Sequence, residues 1–107
     1  MEFSKLKFKP MPSLPDSKQC LIDLGKHELS IVQHQFSYGG KDGFYEVGYM
    51  KKNGGMIALP SQVSKSKLSD QVKGWLTEQD VMEIIKQLCD HNRLDYNFVC
   101  MKTRLVT

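Results

Sequence analysis

The sequence has no long apolar run. Nowhere in its 107 residues is there anything close to the roughly 20 consecutive apolar positions that cross a bilayer as a helix, so no membrane partner is expected. The first residues interleave Lys5, Lys7 and Lys9 with Phe3, Leu6 and Phe8. They leave no uninterrupted apolar core for a signal peptide, and a cytoplasmic location is the expectation. Cysteine is scarce and odd in number: Cys20, Cys89 and Cys100, with no tight spacing. A disulfide framework uses a denser, even set, so reduced thiols are expected. No C-x-x-C or H-x-x-x-H occurs. His27, His34 and His91 are scattered, and Cys89 and His91, two apart on one helical turn, point to different sides. The expectation is therefore no metal and no cofactor.

Charge of one sign is also missing. Fifteen basic residues against 12 acidic ones leave a formal charge of +3, without the long basic run of a dedicated nucleic-acid binder. There is no G-x-S-x-G elbow. Cys89 falls on an apolar helical face as a small hydrophobe, and Asp80 and Glu83 read as a solvated pair. No nucleophile with a positioned base emerges, and the chain is expected not to be an enzyme. The glycine-rich Gly39–Gly43 lacks the G-x-x-x-x-G-K-[ST] pattern and precedes a strand rather than a helix, so a hairpin turn is favoured over a phosphate cradle.

What is present is an ordinary globular composition, 40% apolar and 25% charged, enough to bury one core without staples. The alternation of residues 3–9 has the period of a half-buried edge strand with a lysine-rich wet face. Pro10, Pro12 and Pro15 then predict an extended, exposed loop over 10–17. Residues 20–24 read as a strand ending at Gly25. Residues 29–38 read as a second strand whose phase shift suggests a bulge near Val32–Gln33. Residues 44–51 form a third, with Tyr45, Val47 and Tyr49 on one side. Lys52-Asn53-Gly54-Gly55 is a hairpin turn, so Met56–Leu59 is expected to return as a strand. Residues 61–71 are polar and read as an exposed loop.

The period then changes. Thr77 is an N-cap with Asp80 at the capping-box position, and Leu76 and Val81 can form a staple. Val81, Ile84, Ile85, Leu88 and Cys89 follow i, i+3, i+4, i+7, i+8, one buried face of a helix over about 78–91. Residues 96–102 again favour a strand. The fold class that follows is α+β: a single domain over 1–107, with an antiparallel sheet of four to six strands and one principal helix on a face.

Candidate surface residues come from the lysines and the aromatics. Lys5, Lys7 and Lys9 share the proposed first strand face. Lys51 and Lys52 sit at a hairpin tip, and Lys65 and Lys67 alternate in the polar loop. Tyr38, Tyr45 and Tyr49 would stack on bases if they faced outward, although the tyrosine side shared with Val47 equally suits the core. Trp75 is expected to plug the sheet–helix junction; an exposed Trp75 would instead mark a partner surface.

Two stretches, Phe36-Ser37-Tyr38-Gly39-Gly40-Lys41-Asp42-Gly43-Phe44-Tyr45-Glu46-Val47 and Val72-Lys73-Gly74-Trp75-Leu76-Thr77-Glu78-Gln79-Asp80-Val81, resemble small bacteriophage and prophage proteins of unassigned function. These carry a SYGG…GLYEVAV hairpin and a V-x-G-x-L-T-x-x-x-V helix start. The likeness spans roughly residues 29–90, and the chain departs from it at Gly48-Tyr49 and in its longer 61–71 loop. It implies a viral or prophage origin and brings no catalytic residue. Three functional classes follow. The first is a non-enzymatic accessory factor that binds and modulates a host protein, such as a host-defence inhibitor. The second is a nucleic-acid-binding module using the lysine faces. The third is a small enzyme without a signature. A stable homodimer or a co-purifying host protein would favour the first.

Overall fold

The computed structural model describes residues 3–63, 65 and 70–96. Within them five antiparallel strands lie side by side in chain order: β1 (Lys9–Met11), β2 (Leu14–Asp23), β3 (His27–Gln33), β4 (Tyr45–Lys51) and β5 (Val72–Leu76). One helix, α1 (Glu78–His91), packs against a face of the sheet. This is the α+β class expected from the change of period.

Register explains the core. Cys20 pairs with Ile31 and Ile31 with Val47; Ile22 pairs with Leu29 and Leu29 with Tyr49. Paired residues point to the same side of a sheet, so these rows form one continuous apolar floor. All of them are buried, and α1 lays Val81, Ile84, Ile85, Leu88 and Cys89 over them, each fully buried. A large aliphatic buried this way contributes about 1.5–3 kcal/mol before entropy.

The helix is defined at both ends by local chemistry. The Asp80 amide donates to Thr77 Oγ1 (3.1 Å), and the Thr77 amide donates to the Asp80 carboxylate (3.0 Å). At the C-terminus the Leu94 amide donates to the Cys89 carbonyl and the Arg93 amide to the Asp90 carbonyl. That is a Schellman closure, with Arg93 rather than glycine at the left-handed position, φ +57°.

Four expectations are corrected. Residues 3–9 are not an edge strand: Phe3–Lys5 form a 3-10 turn, and β1 starts only at Lys9. Phe3 and Phe8 stack on each other and pack at a tilt against Tyr45, with ring centroids 5.0–5.8 Å apart. These aromatic contacts draw the segment onto the helix-covered face, so Lys5, Lys7 and Lys9 do not share a strand face. Residues 10–17 are not a loop but the turn end of the β1–β2 hairpin. Pro10 is tolerated because β1 is an edge strand, and Ser17 Oγ accepts the Met11 amide (2.8 Å) and donates to the Leu14 carbonyl (2.6 Å). The second strand ends at Gln33, so the phase shift near Val32 marks a strand end, and the β3 ladders run without a bulge. Finally, Met56–Leu59 return for a single bridge, Met50 to Met56. Tyr49 hands over there: its carbonyl accepts from Ile57 and its amide donates to Gln71, which leads into β5. The strand expected over 96–102 lies outside the described residues beyond Tyr96.

Among the described residues no helix is long and apolar enough to cross a membrane.

Candidate functional site

The β4–β5 ladder carries the main irregularity on this side of the sheet. Tyr45 pairs with Leu76 while Val47 pairs with Lys73, so β5 spends one more residue than β4 between the two pairs. This is a β-bulge at Gly74–Trp75, and a bulge re-aims the side chain it carries. Trp75 adopts φ +58°, a left-handed conformation that is an outlier for so bulky a residue. The result is a tryptophan 59% exposed, not the plug of the sheet–helix junction that its place before the helix suggests. Leu76 takes that buried role.

The surrounding loop holds Trp75 in this pose. The Trp75 amide donates to the Tyr38 carbonyl (3.1 Å), and the Tyr38 amide donates to the Glu46 carboxylate (3.4 Å). A Cβ on Gly74 would run into Tyr38, so only glycine lets the loop close on β5. Gly39, at φ +83°, has no side chain to obstruct the indole: a Cβ there would stand 3.0 Å from the ring and 2.9 Å from Phe44 Cβ. Phe44 backs the indole with centroids 5.8 Å apart. Ser37 is buried, accepts the His34 amide and donates to the His34 carbonyl. The left-handed Gly39 and Gly43 bracket a 3-10 turn over Gly40–Asp42. The glycine loop is thus a turn, as expected, and also a clamp on the tryptophan.

Tyr38 and Trp75 line a depression of about 270 Å³ with Gln35, Lys41 and Asp42. Tyr38 is 63% exposed, and Phe36, from the same turn, is 75% exposed. Single exposed apolar residues are commonplace, but two exposed aromatics two residues apart on one turn, with an exposed tryptophan beside Tyr38, are not. Charge there is balanced between Lys41 and Asp42, with Glu46 engaged beneath.

Of the sequence-derived surface candidates, Tyr38 and Trp75 meet here. Tyr49 does not: it is 2% exposed, and Tyr45 is buried too, because the register places both in the core rows. Lys51 and Lys52 lie at the opposite end of β4, about 20 Å away at roughly 3.3 Å per residue, and Lys52 is paired with Asp23 (2.7 Å). Lys5, Lys7 and Lys65 are exposed, Lys9 is half-buried, and Lys67 lies outside the described residues. The lysines are dispersed, not gathered into a stripe. Phe36 and Phe44 were not among the candidates. Gly74 hints at a close backbone approach, but Val72–Leu76 runs straight into the helix cap and the bulge is defined only by its pairing with β4. Among the described residues no group of three or more His, Cys, Asp or Glu side chains could hold a metal ion.

Fold and site together define a small α+β protein that displays an aromatic patch on a bulged strand. No family model, no curated protein and no solved structure matches the chain.

Proposed function

We propose that this chain is a non-enzymatic interaction protein that docks a protein partner through Trp75, Tyr38 and Phe36. The resemblance to phage and prophage proteins supports a host protein in the bacterial cytoplasm as that partner, which the chain would modulate. The observation that carries this reading is Trp75 itself. Left-handed strain of about 1–3 kcal/mol is tolerated at a residue whose ring nonetheless faces solvent. The Phe44 contact offsets that strain but leaves most of the ring in water, and exposed tryptophan and tyrosine are the commonest anchors of protein interfaces.

The nucleic-acid alternative rests on the same rings stacking on bases. Balanced charge at the patch and lysines dispersed to other parts of the surface weigh against it, because phosphate neutralisation needs cations beside the stacking platform.

The test is affinity capture from host lysate with the parent chain and with a Phe36→Ser, Tyr38→Ser, Trp75→Gly variant. Host proteins retained by the parent should fall at least tenfold with the variant, and retention should survive moderate salt and nuclease. Equal capture by both chains would sink the proposal. Nucleic acid released by moderate salt would replace it with the alternative.

A further inference from the structure

At the end of β3 and β4 remote from Trp75 there is a second concavity, of about 400 Å³, within the range of small-molecule sites. Its apolar wall is Ile57, Ala58 and Pro60; its polar groups are His27, His91, Tyr49 and Gln62. Their hydrogen bonds form a chain that starts at Asn92. Asn92 Nδ2 donates to the Leu88 carbonyl (2.8 Å), which can only accept and so sets the amide's orientation. The second proton of Nδ2 then goes to the Tyr49 hydroxyl (3.2 Å). Tyr49 is 2% exposed, and its own proton needs an acceptor. His27 Nδ1, 3.2 Å away, is the acceptor within reach. An Nδ1 that accepts leaves the ring proton on Nε2.

At His91 the Gln62 Nε2 lies 2.9 Å from Nδ1, and an amide NH2 can only donate, so Nδ1 accepts there too. Both imidazoles are therefore held as Nε2–H donors on the rim of one cleft, and His91 and Asn92 are adjacent in the chain. Lys51 pairs with His27 across β3 and β4, on the same side of the sheet. The inner relay runs Asn92 to Tyr49 to His27, and it ends on a donor.

We infer that this cleft binds a small ligand with an apolar body and a hydrogen-bond-accepting head group. The two imidazole N–H groups hold the head, and Ile57, Ala58 and Pro60 hold the body. This site is separate from the aromatic patch and does not depend on its partner.

The test uses the full chain labelled with ¹⁵N. Imidazole ¹⁵N shifts report the tautomers, expected as Nε2–H for both His27 and His91. Benzoate, benzamide and benzylammonium are then titrated to about 10 mM, a range that detects millimolar binding. Saturating shifts of the two histidines with either acceptor probe support the site, and the preference between them reports the charge of the head group. Tyr49→Phe, which unlocks the His27 tautomer, should weaken that binding on the order of 3- to 10-fold, the loss of one neutral hydrogen bond. Where Tyr49→Phe fails to fold, His91→Phe at an exposed position gives the equivalent reading. Absence of saturation with both acceptors, an equal response to benzylammonium, an Nδ1–H tautomer on His27, or unchanged binding in the folded variant would each overturn the inference.

Discussion

A tryptophan at φ +58° is unfavourable wherever its ring sits, so its cost can be measured apart from its function. Trp75→Gly removes the strain and loses the Phe44 contact, an aromatic pair of about 0.5–1.5 kcal/mol. The two changes nearly offset, and chemical denaturation should find stability within about 1 kcal/mol of the parent. A loss of about 3–5 kcal/mol, as for a core tryptophan, would show that more than Phe44 holds the ring. Tyr45 makes a second residue-scale prediction. Burial first, and then the nearby Glu78 carboxylate, raise its pKa above the ordinary 10.0. The folded state thus keeps the phenol proton more tightly than the unfolded chain does. That contribution is complete below pH 10 and is lost as pH rises through the higher folded value. Thermal melts across that alkaline range should therefore fall more steeply for the parent than for Tyr45→Phe. Parallel curves would remove Tyr45 as the cause.

Elements differ in how openly the sequence announces them. α1 was legible from end to end because both its signals are local: a capping pair three residues apart and an apolar face of period 3.6. Its C-terminal closure carries a testable flaw. Arg93 occupies a left-handed position that suits glycine, so Arg93→Gly should stabilise by about 0.5–1 kcal/mol and raise the melting temperature by a few degrees. A lowered melting temperature would mean that the arginine side chain makes a compensating contact. β5 was not legible. Its sequence, Val72–Leu76, leads directly into a helix cap, and only its pairing with β4 makes it a strand. The N-terminal segment misled in the opposite way. Its two-residue alternation is real, but Phe3 and Phe8 answer to Tyr45 and not to a neighbouring strand.

On the scale of the whole molecule, the two concave sites occupy opposite ends of β3 and β4, with the core rows between them. The dispersed lysines belong to neither, apart from Lys51 beside His27 and Lys41 at the aromatic patch. Changing Lys5, Lys7 and Lys9 together to serine should leave stability within about 1 kcal/mol of the parent and leave partner capture intact; a large loss of folding would make these residues structural instead. The fold class followed from the sequence alone, because a two-residue apolar rhythm upstream and a 3.6-residue rhythm downstream can be buried together only as a sheet covered by a helix. Tyr45 and Tyr49 were also recognisable as core candidates from their shared side with Val47. The tertiary structure alone decided where the surface chemistry lies. Exposure of Trp75 depends on one extra residue in β5 relative to β4, and the donor pair at His27 and His91 depends on side chains 64 residues apart in the chain meeting at one cleft. Pairing register and long-range proximity are properties of the assembled chain, and no local pattern encodes them.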